Sequence, residues 1–276
     1  MWASACSSRL SKGDIKYARP YLNLLEFAVV PDLLRSGAFD GVFDGAAGVI
    51  HVTSPLPSAT TDFKRDLIDP AVNTTTEILK SAKKASTIKR VVITSSIGVL
   101  LTWDYVVSSD MTKVFTAALT ATEHFMSEEK PAFDVVNILP SVVTGKNELN
   151  SKAEDVAKGG NATAIGILLN NKSEMPTIGV SVRVDDVARA HIDALKPLIA
   201  GNRNYICSSG GIIGYYSKAL PKKVEDGRLP LAVGKHSRPI HFNTSKTEEA
   251  FRWNFASFEE QVKSVTGHYL ELLAAK

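Results

Sequence analysis

Short apolar runs alternate along the chain with longer segments in which apolar residues recur at helical spacing. Leu24 to Val30 and Gly48 to Val52 are short, rich in strand-forming residues, and followed by proline within a few residues. Both are therefore predicted to be buried parallel strands. Between them, the apolar residues of the segment from Ala38 to Phe43 have helical spacing, which predicts a strand–helix–strand unit.

The same alternation continues downstream. The pattern predicts a helix over 69–85, a strand over 91–94, a helix over 113–129 and a strand over 133–139. Such an alternation is typical of a doubly wound parallel sheet. We expect an α/β fold with a truncated Rossmann-like core over 1–145. Residues 146–276 should return to this core and form a small substrate lobe, all within one compact unit.

Polar residues with capping potential mark the helices of the second half. Asp185 or Asp186 is expected to cap the helix that follows Val182, because a carboxylate accepts hydrogen bonds from free backbone N–H groups. Thr244 or Ser245 and then Ser257 are expected to cap two amphipathic helices near the C-terminus. These signals extend the helical prediction to the end of the chain.

Composition excludes several classes of protein. The chain has 276 residues, of which 44% are hydrophobic, and 32 basic residues balance 29 acidic ones. This predicts a folded protein without a nucleic-acid-binding surface. No apolar run approaches the roughly 20 residues that span a bilayer, and no secretory signal is visible, so we expect a cytoplasmic protein. Cys6 and Cys207 lack metal or redox spacing, which indicates neither a disulfide framework nor a metal site.

Two stretches of sequence resemble one enzyme superfamily. Residues 44–55, ending in His51-Val52-Thr53-Ser54-Pro55, and residues 90–96 resemble the extended short-chain dehydrogenase/reductases, especially the dihydroflavonol-reductase and fungal ketoreductase branch. Asn243-Thr244-Ser245-Lys246 is similar to a helix start of that family. The resemblance runs from Glu26 to the end of the chain. It implies a reductase scaffold with a nucleotide cleft.

The resemblance also exposes two departures from the family pattern. A dinucleotide fold starts with a glycine-rich turn that brings backbone N–H groups close to the pyrophosphate, and the only glycine before Leu24 is Gly13. The family's catalytic Tyr-x-x-x-Lys is replaced by Phe115 and Leu119, in a register anchored by Glu123. Together these departures predict a protein that uses no cofactor and performs no hydride transfer.

Several residues that could still act on a substrate remain. Ser95 and Ser96 follow a predicted strand where the family places its carbonyl-orienting hydroxyl, although a serine there can simply satisfy local backbone groups. Asp104 and Tyr105 lie in the loop that approaches the substrate in the family, and either could transfer a proton, although solvated loop carboxylates are common. These four are the predicted catalytic residues.

The predicted substrate-binding residues form a mainly apolar set: Trp103, Phe115, Leu119, Pro140 and Ser141. Core packing is the alternative role for the aromatic members. His51 is interpreted as a structural residue, and His124 is expected to face away from the cleft because adjacent helical residues diverge by roughly 100°.

The leading functional hypothesis is a redox-neutral enzyme of secondary metabolism. An isomerase, cyclase or lyase, including a pericyclase, needs shape, positioning and oxyanion stabilisation, which an apolar cleft with serine hydroxyls can provide. Its substrate would be an apolar polyketide- or terpenoid-like molecule. The first alternative is an NADP-dependent reductase of a ketone or aldehyde with an unconventional donor such as Tyr105 or Asp104. The second is a non-catalytic scaffold or heterodimer subunit, and a homodimer is also compatible with the family.

Overall fold

The computed structural model describes residues 2–5, 23–54, 62–101, 109–168, 177–209, 237–238 and 240–275. Internal contacts divide the chain into two compact units. The first contains residues 1–137 and 200–203, and the second contains residues 138–199 and 204–276. The predicted boundary between residues 145 and 146 remains a prediction about domain organisation.

Strands and helices alternate through the first part of the chain, as the apolar pattern predicts. The elements are β1 (Trp2–Ala5), β2 (Leu25–Ala28), β3 (Gly48–His51), a π-helical turn (Lys64–Ile68), α1 (Asp69–Lys84), β4 (Arg90–Thr94), a 3-10 turn (Ile97–Leu100), α2 (Ser109–Glu129) and β5 (Asp134–Pro140). The sequence pattern did not predict β1, which pairs in parallel with β2.

Four strands form the main sheet, in the order β3, β4, β5 and β9, where β9 is Arg203–Cys207. β3 and β4 are parallel, with Gly48 opposite Arg90 and His51 opposite Ile93. The predicted α/β fold with a parallel sheet is confirmed. β5 and β9 each contribute residues to both units.

The core of the first unit lies between this sheet and the helices. Pro70 sits in the first turn of α1, where its missing N–H leaves no helical hydrogen bond unmade. Ile78 and Leu79 of α1 pack with Val91 of β4 and Phe125 of α2 in one buried cluster. This packing fixes both helices against the sheet.

The predicted helix over 38–43 is wrong. Residues 36–45 form successive turns, and Gly37, Gly41 and Gly45 all have positive φ values of 69–78°. A glycine in the left-handed region at every fourth position interrupts helical hydrogen bonding despite the apolar spacing. The Gly37 N–H instead donates to Glu77 Oε2 of α1 at 2.9 Å, which ties the turns to the helix.

The amino edge of the sheet carries a partly buried ion pair. Arg90, the first residue of β4, donates through Nε to Asp134 Oδ1 at 2.5 Å and through a terminal nitrogen to Oδ2 at 2.7 Å. Gly201 approaches the same carboxylate so closely that a Cβ there would lie 1.9 Å from Asp134 Oδ2. Asn202 Oδ1 accepts from the Val135 N–H at 3.0 Å. The starts of β4 and β5 are thus joined by charge and hydrogen bonds.

The second unit contains shorter strands and most of the remaining helices. Its other elements are β6 (Val142–Thr144), α3 (Ala153–Val156), α4 (Asn161–Leu168), β7 (Thr177–Ile178), β8 (Ser181–Arg183), α5 (Val184–Ala194), β10 (Ser237–Arg238), α6 (Ser245–Phe251) and α7 (Phe258–Ala274). β6 pairs with β8 and β7 pairs with β10, in parallel in both cases. Val156, Ile165 and Val265 belong to its buried apolar cluster.

Of two predicted helix caps, the one at Ser257 is confirmed and the one at Asp186 is wrong. Ser257 caps α7 in a capping box with Glu260, as expected. Asp186 does not cap α5, because the helix begins at Val184 and the Asp186 carboxylate accepts instead from the Ala256 N–H at 2.8 Å. The aspartate therefore ties α5 to the segment before α7.

Candidate functional site

A cleft opens within the first unit, at the carboxyl ends of its parallel strands. It encloses about 360 Å³ of empty space, including the part that is open to solvent. The lining residues come from β3, β4, β5, the segments after β3 and β4, and the two long helices: His51, Thr53, Ser54, Ala71, Thr75, Ile93, Thr94, Ser95, Ala118, Leu119, Thr122 and Asn137. Carboxyl ends of parallel strands are the usual place for ligands in α/β sheets.

Ser95 follows β4 directly and presents a hydroxyl to this cleft. The residue is buried, with 9% of its surface exposed, and its Oγ has no hydrogen-bond partner among the described residues. A buried hydroxyl without a partner costs free energy, and a ligand that accepts its hydrogen bond would remove that cost. Ser95 is therefore the residue of the cleft that most needs a ligand.

The neighbouring Ser96 has a different role. Its Oγ accepts a hydrogen bond from the Gly98 N–H at 3.1 Å and caps the 3-10 turn. This satisfied hydroxyl matches the structural alternative recognised for a serine at a strand end. The proposed catalytic role of Ser96 remains a prediction.

His51 is the last residue of β3 and one wall of the cleft. Only 5% of its surface is exposed. Burial disfavours the charged imidazolium and lowers the pKa of His51 to about 4. At neutral pH the cleft therefore contains a neutral imidazole.

The two helices supply the remaining wall. Ala71 and Thr75 of α1 are four residues apart, and Ala118 and Thr122 of α2 have the same spacing, so each pair shares one helical face. The Thr122 hydroxyl donates to the Ala118 carbonyl at 2.9 Å. Leu119 is the largest apolar side chain that the two helices contribute to the lining. Every described lining residue is uncharged at neutral pH.

The structure brings together only some of the predicted site residues. Ser95 and Leu119 line the same cleft. Phe115 belongs to α2, but its side chain lies outside the described residues, and Trp103, Asp104 and Tyr105 lie outside them entirely. The predicted roles of these residues remain predictions.

Pro140 and Ser141 belong to the second unit. Pro140 ends β5, and the buried Ser141 follows it with a hydroxyl that has no partner among the described residues. The Ser141 N–H donates to the Cys207 carbonyl at 2.9 Å, which joins the ends of β5 and β9. Their substrate-binding role also remains a prediction.

Other cleft residues were missed from the sequence. Thr53, Ser54, Thr75 and Asn137 all line the cleft, and His51 was interpreted as structural only. The signal that could have identified the first two is their position directly after a buried parallel strand, where side chains meet at the carboxyl edge. Thr75 and Asn137 lie within a helix and a strand, so their exposure to the cleft depends on packing that the sequence does not show.

Three further observations concern membrane-spanning helices, metal sites and the reactivity of Cys207. No helix in the described ranges is long and apolar enough to cross a membrane. Among the same residues, no group of three histidine, cysteine or acidic side chains could hold a metal ion. Burial raises the pKa of the Cys207 thiol to about 12, so this cysteine is a weak nucleophile.

Sequence comparisons relate the chain to named reductases and dehydratases. No protein-family profile matches it. The NAD-dependent epimerase/dehydratase ALT6 of Alternaria alternata is 36% identical over 283 residues, covering 87% of this chain and 80% of the relative. The ketoreductase CTB6 of Cercospora nicotianae is 29% identical over 308 residues, covering 98% of this chain and 85% of the relative.

The chain belongs to the extended short-chain dehydrogenase/reductase superfamily. Within it, the chain falls in the branch that includes fungal ketoreductases. A solved structure of Gre2 from Candida albicans in complex with NADPH has the same fold, with a TM-score of 0.75 and 23% identity over 90% of this chain and 85% of that one. The resemblance found in the sequence is thus confirmed at the level of the superfamily.

Membership of this superfamily corrects one prediction. The prediction of a protein without a cofactor is wrong, because the Alternaria relative is named as NAD-dependent and the Candida structure is an NADPH complex. That prediction rested on the missing glycine-rich turn before Leu24 together with the loss of the Tyr-x-x-x-Lys pair. A proton donor and a cofactor site are separate features, and the absence of the first is not evidence against the second.

Proposed function

We propose that this superfamily member is a nicotinamide-dependent reductase of an apolar ketone or aldehyde of secondary metabolism, with a proton donor other than the family's tyrosine. The observation that carries the proposal is Ser95, a buried hydroxyl without a described partner, in a strand-end cleft of a reductase fold. A carbonyl oxygen would provide the missing hydrogen-bond acceptor. The sequence relationship to ketoreductases supports the same reaction.

The lining residues partly fit a nicotinamide nucleotide. Thr53, Ser54 and Thr94 offer hydroxyls at the carboxyl edge of the sheet, which suit sugar hydroxyls and a carboxamide. The uncharged lining suits the nicotinamide end of the nucleotide and not its phosphates. Leu119 offers no ammonium group, unlike the lysine of the family pattern. When bound, the nucleotide would supply hydride.

The chain's own residues would orient and polarise the substrate. The Ser95 hydroxyl would donate to the carbonyl oxygen and stabilise the negative charge that develops there during reduction. Ile93, Ala118 and Leu119 give the cleft an apolar side that can pack against a hydrocarbon substrate and exclude water. This combination favours an apolar carbonyl compound over a charged one.

The test is an assay of purified protein with NADPH and NADH, using acetophenone and 2-decanone as probes and following nicotinamide absorbance and alcohol formation together. We expect carbonyl-dependent oxidation of one nucleotide, reduced about 100-fold in Ser95→Ala. Ser127→Ala is the matched control, because Ser127 is exposed on α2 and its hydroxyl donates to the His124 carbonyl of the same helix.

A contrary result would have a defined meaning. If neither nucleotide binds in a calorimetric titration, the reductase proposal fails. Turnover of an apolar substrate without nucleotide would then support a redox-neutral isomerase, cyclase or lyase. Binding of a partner chain without any turnover would support the scaffold alternative.

A further inference from the structure

This inference rests on the proposed reductase function and concerns the source of the proton. Hydride addition to a carbonyl carbon leaves an alkoxide, which must be protonated before the alcohol is released. The family position for the donor holds Phe115, whose side chain carries no exchangeable proton. Among the described residues that line the cleft, His51 is the one ionisable side chain.

The strand register places His51 near Ser95. His51 lies opposite Ile93 on the adjacent parallel strand, and Ser95 is two residues beyond Ile93. With neighbouring strands about 4.8 Å apart and a rise of about 3.3 Å per residue, the Cα atoms of His51 and Ser95 are roughly 8 Å apart. Side chains two residues apart along a strand point to the same side of the sheet. The two side chains are not hydrogen-bonded to each other, so at this separation a proton passes between them through one bridging water.

Burial and the lack of competing partners also favour proton transfer between these two side chains. Both residues are more than nine-tenths buried, and both line the same cleft. The Ser95 hydroxyl has no described partner that would compete for its proton. The groups that face His51 across the cleft from α1, α2 and β5 are Ala71, Thr75, Ala118, Leu119, Thr122 and Asn137, none of which is charged or titratable in the neutral range. No described neighbour in the cleft can replace His51 as an acid or base.

We propose that His51 exchanges a proton with the substrate oxygen through the Ser95 hydroxyl. In the reductive direction, a bound nicotinamide nucleotide would supply the hydride that turns the carbonyl into an alkoxide and would itself be oxidised. The resulting alkoxide takes the Ser95 proton, the Ser95 oxygen takes a proton from the bridging water, and that water takes a proton from the His51 imidazolium. Neutral His51 then regains a proton from solvent. Alcohol oxidation follows the same path in reverse, with neutral His51 as the base.

This path predicts opposite pH behaviour for the two directions. Burial lowers the pKa of His51 to about 4, so above this pH the imidazolium becomes about tenfold scarcer with each pH unit. The kcat/KM for carbonyl reduction should therefore fall about tenfold per unit from about pH 5.5 to about pH 8.5. The kcat/KM for alcohol oxidation should stay flat over this range, because His51 is already the neutral base.

The experiment measures both profiles in wild-type protein and in His51→Asn, with acetophenone and 1-phenylethanol as substrates. We expect His51→Asn to lower kcat/KM for reduction by about 100-fold or more at the acid end and to flatten its profile. Ser95→Ala on the His51→Asn background should cause little further loss, because both changes interrupt one path. His191→Asn is the matched control, because His191 is equally buried but its Nδ1 bonds to the Val187 carbonyl in the second unit.

Three results would overturn the proposal. One is an unchanged reductive pH profile in His51→Asn, and another is full additivity of the two losses. The third is a flattened profile in Tyr105→Phe with an unaffected His51→Asn, which would assign proton transfer to Tyr105. A wild-type protein that binds neither nucleotide fails the earlier calorimetric test and removes the proposed function together with this inference. Nucleotide-dependent turnover without a His51 effect removes only the inference.

Discussion

The two ends of the same sheet strands are built in opposite ways. At the amino edge, Arg90 and Asp134 bring full charges together, and each charge is paired through two hydrogen bonds. At the carboxyl edge, the cleft contains a neutral imidazole at His51 and a Ser95 hydroxyl that has no partner in the described part of the chain. The polar groups of the amino edge therefore hold strands together. The carboxyl edge leaves polar groups available to a ligand, at some cost in stability.

The largest effect should come from breaking the amino edge. Asp134→Ala removes the carboxylate that pairs with the buried Arg90, and we expect the free energy of unfolding to fall by about 3 kcal/mol, because the Asp134 side chain is 30% exposed and part of the larger penalty is relieved by water. Denaturant unfolding measures this change. The control is Glu129→Ala, which breaks the exposed pair with Lys83 and should change stability little. Equal effects in the two variants would contradict the contrast between a buried and an exposed pair.

The carboxyl edge should make the protein sensitive to acid. His51 has its pKa lowered from 6.5 to about 4 in the folded protein, so between these values the unfolded chain binds more protons and stability falls as the pH falls. The lost stability amounts to about 3 kcal/mol once the pH is below the folded pKa. We expect His51→Asn to lose that much less stability than wild type between pH 7 and pH 4, as measured by denaturant unfolding. Parallel curves for the two proteins would show that His51 is not a buried neutral group.

Removing the unpartnered hydroxyl should separate activity from stability. Ser95→Ala should lower kcat/KM by about 100-fold, or about 2.7 kcal/mol of transition-state stabilisation, without lowering the free energy of unfolding. A stability equal to or above that of wild type is expected because a buried polar group without a partner is deleted. Steady-state kinetics and denaturant unfolding of the same preparation check both statements. A large loss of stability with normal kcat/KM would make Ser95 a structural residue.

The smallest predicted effect restores the family's catalytic pair. Phe115→Tyr together with Leu119→Lys should raise kcat/KM for carbonyl reduction by about tenfold at pH 7, because an ammonium group lowers the pKa of a nearby phenol and makes it a donor near neutrality. The steep acid dependence of reduction should weaken at the same time. Leu119→Lys alone is the control and should give no gain. A double variant with the wild-type rate and profile would show that the tyrosine pathway cannot operate in this cleft.

Much of this architecture follows from the sequence. Apolar periodicity located β3, β4 and α1 to within a residue or two, because buried strands and one-sided helices leave strong patterns. Apolar spacing alone misassigned residues 38–43, where glycines at positive φ determine the backbone. β1 was missed because four residues carry too little pattern to predict a strand. Its parallel partner is β2, which begins at Leu25.

The site was predicted less completely than the fold. Ser95 and Leu119 were identified because they occupy motif positions, and both line the cleft. His51 was interpreted as structural, since the sequence shows neither its burial nor its position opposite Ile93. The Arg90–Asp134 pair was not predicted, because residues 44 positions apart are brought together only by strand pairing.

Calorimetric titration with NADPH and NADH tests the central claim that the carboxyl-edge cleft holds a nicotinamide nucleotide. Wild-type protein should bind one of them with a micromolar Kd. Thr53→Trp should weaken binding at least about tenfold, since an exposed residue at the mouth of the cleft would then fill it with a large ring. The folded state of this variant is checked by its unfolding curve. No binding by wild type, or equal binding by folded Thr53→Trp, would contradict the account.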